Sequence, residues 1–358
     1  MLITMKQLFI RLLTPVKTVM AIAMAAVFVI GLSAFKKDKV ITIFTIGDST
    51  MANKNINNGN TERGWGMMLP DCFSEDIRVD NHALNGYSSK SFIDNGKWQA
   101  VLDRIKPGDY VVIQFGHNDE KSNPKRHTDP GTTFDDNLRR FVRETREKGG
   151  IPILMNSVVR RKFYYESGEY LNHAKDKNVE DESLRNTTNT GETEKIVDGD
   201  PLVDTHGAYL LSPRNVAREM NVPFVDANKI THDLEQGLGP VESRNLHMWY
   251  LPGQNPAIPK GRKDNTHYNV HGARLVSTLL AKAMVKEVPA LKKYLRHYDL
   301  VVARDGRGDF FDIQKAVDAA PIGEKTTILV CDGNWKKPTV EKGKKIRFVL
   351  RSGARFVK

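Results

Sequence analysis

Four short stretches hold the residues that could do covalent chemistry. "IFTIGDSTM" (43–51) sets Gly47-Asp48-Ser49-Thr50 where an uncharged strand ends. A strand followed by a small-residue turn and a helix lifts one side chain onto the sheet rim and aims helix N-terminal N–H groups at whatever it touches. That setting suits Ser49 as a nucleophile; an Asp/Ser cap on the next helix is the plainer alternative. Serine catalysis also needs a base for the hydroxyl proton and a carboxylate to hold the base's tautomer. Three Asp/His pairs are candidates: Asp264/His267 in "KDNTHYN", Asp204/His206 in "VDTHGAY", and the adjacent His232-Asp233. On a helical turn, positions three apart share a face, which favours Asp264/His267; side chains two apart diverge there, and adjacent ones meet poorly. An oxyanion needs fixed donors. "NHALNGYSSKSF" offers the Gly86 N–H, with no Cβ in the way, and "IQFGHNDEK" offers the neutral amide of Asn118. Each stretch alone is ordinary turn chemistry.

The elements between them must bring the four together. "VITIFTIG" (40–47), "IRVDNHAL" (77–84), "YVVIQFG" (110–116), "IPILMNSVV" (151–159) and "VPFVDA" (222–227) read as strands of a buried sheet. "GWGMMLPDCF", "SFIDNGKWQAVLDRI" and "TFDDNLRRFVRETREKGG" read as intervening helices; in the last, Phe134, Leu138, Phe141, Val142 and Thr145 share a face before Gly149-Gly150 end it. Helices over 212–220 and 269–288 and a Pro/Gly loop over 251–265 complete the pattern. Such alternation predicts an open parallel sheet with helices on both faces, whose sites form outside the strands' carboxyl ends. Residues 166–206 break the rhythm; polar and without a period, they read as a long surface insertion that could wall a substrate cleft.

The order "GDST", "NGYS", "GHND", "DNTH" resembles the SGNH (GDSL-like) hydrolases, and among them the rhamnogalacturonan acetylesterase branch, over residues 41–288. The resemblance implies a three-layer α/β/α sandwich with a parallel, flavodoxin-like sheet, and a serine esterase that removes acetyl groups from pectic polysaccharide. It implies Ser49 as nucleophile, His267 as base and Asp264 as its orienter. The oxyanion hole would be the Ser49 and Gly86 N–H groups with the Asn118 amide, while Asp48 and Asp119 would brace their own blocks. No cofactor and no metal are expected, and activity should fall in acid as His267 takes up a proton. Alternative readings are an esterase for another acetylated glycan such as xylan, or for a lipid or thioester, although no long apolar lid is visible. A metallo-phosphoesterase would need more convergent carboxylates and histidines. A non-catalytic glycan-binding protein could use Trp65, Trp98, Trp249 or Tyr250, if these are not core residues.

Charge does not point to nucleic acid. The 358 residues carry a formal charge of +11, but residues 1–40 hold +5 of it and residues 336–358 hold +8, leaving the middle slightly acidic. Basic residues precede "TVMAIAMAAVFVIGLSAF" (18–35), an uncharged run that holds small-x-small at Gly31-Leu32-Ser33 near its end. It reads as the leader of an exported protein (periplasmic or extracellular), spanning residues 1–36, with an uncleaved membrane anchor as the alternative. Cys72 and Cys331 are expected as separate thiols, and no zinc site follows from their spacing.

Residues 289–299 read as a linker. Beyond them, "VVARDGRGDFFDIQKAVDAAPIGEKTTILVCDGNW" (301–335) reads as strand, Gly/Asp turn, a short helix through Ile313, Ala316, Val317 and Ala320 ended by Pro321, then another strand. It resembles the opening of pectin methylesterases, which are right-handed β-helices. Residues 300–358 are therefore expected to form a β-helix-like stub of a longer chain, marginal alone because a solenoid buries its faces only by stacking coils, or else a piece that packs on the esterase. No methylesterase activity is implied, since that family's catalytic aspartates have no counterpart here.

Overall fold

Alternation along β1 (Ile41–Gly47) sets the layers: Ile43 enters one hydrophobic core, while Phe44 and Ile46 enter another on the opposite face. The computed structural model describes residues 40–168 and 195–357, so the apolar run 18–35 and most of the polar insertion lie outside the described residues. After β1 come β2 (Glu62–Arg63), the one-turn helix α1 (Trp65–Met68) and β3 (Ile77–Asn81). Then follow α2 (Ser89–Asp94), α3 (Lys97–Leu102), β4 (Tyr110–Gln114), α4 (Thr133–Glu147) and β5 (Ile151–Met155). Beyond the insertion lie α5 (Leu211–Met220), β6 (Phe224–Val225), α6 (Ala227–Glu242), β7 (His247–Tyr250), β8 (Arg262–Asn269) and α7 (Val270–Glu287).

The central sheet runs β3-β1-β4-β5-β6 with every pairing parallel. Counting only its own strands, that is the flavodoxin order 2-1-3-4-5, and the three-layer α/β/α expectation holds. One face is covered by α1 and α7, through Trp65, Met68, Val276, Leu280 and Met284. The other is covered by α2 to α5, through Phe92, Trp98, Phe134, Phe141 and Val216. Trp65 and Trp98 are thus core residues and cannot stack on a sugar; Trp65 Nε1 donates to Gln114 Oε1 at 2.8 Å.

Three expectations need correction. The helix anticipated over 91–105 is two short ones, interrupted at Asn95-Gly96. The loop anticipated over 251–265 gives way at Arg262 to β8, which pairs antiparallel with both β2 and β7 in a small second sheet. The insertion is also less superficial at its ends than its polarity implies. Phe163 bridges Leu202, Asp200 is fully buried and accepts the Tyr165 and Glu166 N–H groups, and Glu166 pairs with buried Arg161. These buried polar groups are all matched, which is what permits polar sequence inside.

The C-terminal segment contains β9 (Leu300–Val302), α8 (Ile313–Ala319), β10 (Lys325–Val330), β11 (Gly333–Lys336), β12 (Lys345–Leu350) and β13 (Ala354–Val357). β9, β10 and β12 form one parallel sheet and β11 and β13 a parallel pair, so Ile328 stands beside Phe348 and Trp335 beside Phe356. Val302, Ile313, Val317, Ile328 and Trp335 make a core of their own. The segment packs on the rest of the chain: Arg307 reaches Asp71 at 2.9 Å, Arg63 Nε donates to the Gly306 carbonyl at 2.7 Å, and Arg274 pairs with Asp309. Cys72 and Cys331 are both free and buried, and burial pushes their thiols up to about 11 and about 12.

Candidate active site

Ser49 stands one turn past the end of β1. Asp48, fully buried, accepts from the Thr50 N–H and hydroxyl at 2.9 and 2.8 Å, which closes the turn and points Ser49 outward. Burial raises the Asp48 carboxyl, and the Thr50 donors oppose that shift. From the far end of the chain, His267 Nε2 comes to 2.9 Å from Ser49 Oγ, across 218 positions. His267 Nδ1 lies 2.9 Å from Asp264 Oδ2, and Asp264 Oδ1 accepts the N–H groups of Thr266 and His267, each at 2.9 Å. The pair was expected on a helical turn and instead sits on β8. The three-residue reach survives because the carboxylate folds back onto its own following N–H groups.

Asp264 is fully buried, which opposes its ionisation. The hydrogen bond from His267 and the charges of His267 and Arg262 outweigh burial and hold the carboxyl well below the usual carboxylate range. Arg262 donates to the same Oδ2 that faces His267 and also binds Glu62 at 2.8 Å. Glu62 in turn pairs with buried Lys54, whose Nζ donates to Asn85 Oδ1 at 2.6 Å. This ionic chain joins the Asp264 side of the site to the Asn85-Gly86 turn. On the opposite side, buried Arg161 donates to Asn265 Oδ1 and Ser243 Oγ at 2.8 and 2.9 Å, holding the backbone between Asp264 and His267. Lys54, Glu62, Arg161 and Arg262 were not anticipated. Only Arg262, two residues before Asp264, left a signal in the sequence.

Gly86 has φ of +75°, a backbone state that glycine adopts without strain. Asn118 is buried; its Nδ2 donates to the Tyr87 carbonyl at 3.0 Å, which leaves the amide's second hydrogen for another acceptor. Asp119 fixes the turn that carries Asn118. It accepts the Gly116 N–H at 3.1 Å, the Ser89 N–H and hydroxyl, and the Thr128 hydroxyl at 3.0 Å. Ser49, Asp264, His267, Gly86 and Asn118 thus all lie on β8 or in the turns at the carboxyl ends of sheet strands. Such an arrangement can pass a proton from a serine hydroxyl to an imidazole steadied by a carboxylate.

The competing pairs do not join it. His206 Nδ1 meets Glu120 Oε2 at 2.9 Å, and Asp204 accepts the His206 and Gly207 N–H groups instead. Half-buried His232 and exposed Asp233 approach no closer than 3.8 Å. Trp249 is half-buried beneath the guanidinium of Arg244, at 4.1 Å. Among the described residues, no group of three or more His, Cys, Asp or Glu side chains could hold a metal ion.

A parallel doubly wound sheet with a serine, a histidine and an aspartate on its rim defines an α/β serine hydrolase. Residues 45–275 match the GDSL-like lipase/acylhydrolase family, and the chain belongs to it. It is 34% identical over 269 residues to rhamnogalacturonan acetylesterase RhgT of Bacillus subtilis strain 168, covering 75% of this chain and 97% of that one. It is 27% identical over 280 residues to the rhamnogalacturonan acetylesterase of Emericella nidulans, covering 77% and 98% of the two chains. Among solved structures, protein YxiM of Bacillus subtilis aligns with a TM-score of 0.52 at 25% identity, over 70% of this chain and 58% of that one.

Proposed function

We propose that this chain is a serine carbohydrate esterase that removes O-acetyl groups from pectic polysaccharide, with rhamnogalacturonan as the polymer. Ser49 Oγ attacks the acetyl carbonyl while His267 Nε2 takes the hydroxyl proton, and Asp264 holds the imidazole through Nδ1. The tetrahedral oxyanion lies between the N–H groups of Ser49 and Gly86 and the spare Asn118 amide hydrogen. His267 then gives its proton to the departing sugar oxygen, which leaves as the free hydroxyl. Water, deprotonated by the same imidazole, cleaves the acetyl-Ser49 ester and releases acetate. The observation that carries this reading is the pair of 2.9 Å contacts that join Ser49, His267 and Asp264. The polymer is taken from the names of the relatives, whose whole lengths this chain nearly spans.

The run 18–35 supports export, with the apolar segment as leader or anchor. For residues 300–358 we retain the resemblance to the start of a pectin methylesterase β-helix. It is supported by two successive parallel pairings around a private core.

Acetate release from acetylated rhamnogalacturonan and acetylated xylan, by the wild type and by Ser49→Ala and His267→Ala variants, tests the proposal. Turnover should vanish in both variants while circular dichroism stays that of the wild type. Release that favours xylan would keep the mechanism and overturn the polymer, and release by Ser49→Ala would sink the mechanism.

A further inference from the structure

Beside Gly86 a cavity of about 480 Å³ opens between α2 and the turn after Asn118. Its wall includes Tyr87, Lys90, Lys125 and Arg126, with Asp94 as the one acidic side chain. Arg126 is half-buried, and its Nη1 lies 3.4 Å from Asn118 Oδ1. It is also 3.9 Å from where a Cβ on Gly86 would stand, so one guanidinium borders both non-serine oxyanion donors. Lys90 Nζ donates to the Pro124 carbonyl at 2.7 Å, tying the turn that carries Lys125 and Arg126 to α2. Arg126 pairs with no carboxylate among the described residues, whereas Arg262, Arg160 and Arg161 around the same rim are all matched. The chain between its basic ends is slightly acidic, so three cations against one acid here is a local concentration.

We propose that Arg126, assisted by Lys90 and Lys125, forms a subsite for the carboxylate of a uronic acid within one sugar of the acetyl group. The proposal rests on the polysaccharide esterase reading above and adds what the enzyme recognises besides the ester. A guanidinium presents N–H groups in a planar fork that fits both oxygens of a carboxylate. Placed against the oxyanion donors, it would register the polymer so that an acetyl on or next to a uronate falls at Ser49. A neutral xylan backbone lacks that handle.

The competing account is that Arg126 only holds Asn118 through its side-chain oxygen. Kinetics separate the two. Wild type, Arg126→Met and Arg126→Lys would be compared on acetylated rhamnogalacturonan, on the same polymer with its carboxyls reduced to alcohols, and on 4-nitrophenyl acetate. If Arg126 reads a uronate, Arg126→Met should raise KM on the native polymer about 10- to 100-fold, the worth of a hydrogen bond to a charged group. The loss should be several-fold smaller on the two uncharged substrates, and Arg126→Lys should recover part of it. Equal kcat losses on all three substrates, or an unchanged KM on the native polymer, would overturn the subsite alone. No release from the native polymer by the wild type would overturn the esterase reading and this proposal with it.

Discussion

Asp119 sets two physical effects against each other. It is fully buried, which disfavours its charge, yet it accepts from two backbone N–H groups and two hydroxyls, which favour it. Burial prevails and pushes its carboxyl from 3.8 up to about 7, with the nearby Asp48 charge adding to the rise. A carboxyl with a raised pKa in the fold binds its proton more tightly folded than unfolded. Its contribution to stability is therefore greatest in acid and is lost as pH climbs from about 4 through about 7. Between about pH 5 and about pH 8 the loss integrates to about 3 kcal/mol. Asp119→Asn removes this titration. Its amide can keep an acceptor on the Gly116 N–H and donate to the Ser89 and Thr128 hydroxyls, both of which can also accept. Urea unfolding of both proteins at the two pH values provides the assay, and the variant's own change subtracts what the histidines and other groups contribute. Wild type should lose about 3 kcal/mol relative to Asp119→Asn on going to the higher pH. A stability difference independent of pH would mean that the donors keep Asp119 ionised in the fold throughout, and would refute the reasoning.

Asn118→Ala should lower kcat about 10²- to 10³-fold with KM little changed, measured on an activated acetyl ester, because it deletes a donor aimed at charge that develops only in the transition state. Asp71→Ala leaves Arg307, Arg274 and Arg351 facing one another without the buried carboxylate between them. Breaking one side of a buried ion cluster costs about 3–5 kcal/mol, and limited proteolysis should then remove the segment after residue 300 faster than in the wild type.

The sheet was legible because its strands are buried on both faces. Ile43, Phe44 and Ile46, or Val111, Val112 and Ile113, leave continuous apolar runs that few other structures could use. The rim turns were legible because Gly47, Gly86 and Gly116 punctuate those runs. β8 left no such trace: the side chains it buries are Asp264, Thr266 and Tyr268, so its sequence "RKDNTHYN" reads as a polar loop. α6 was also missed, since Gly237, Gly239 and Pro240 spoil its period, and Gly239 is in fact non-helical. The charged chain through Lys54, Glu62 and Arg262 was beyond reach for another reason. Glu62 and Arg262 are 200 residues apart in sequence, and Lys54 and Glu62 each look like an ordinary surface charge.

What sets the distance between nucleophile and base is itself one of these hidden features. The Trp65 N–H donates to the Thr50 carbonyl at 2.9 Å, which ties the Ser49 turn to the segment that begins with β2. β2 pairs Arg63 with Tyr268 and Glu62 with Asn269, and so fixes the register of β8 around His267. A slip of one residue in that pairing would turn His267 to the opposite face of its strand. Arg63 is also the residue whose Nε donates to the Gly306 carbonyl, and Arg262 on β8 binds Glu62 on β2. The C-terminal segment therefore contacts the same two-residue strand that aligns base with nucleophile. Its docking and the geometry of the site share a single short element.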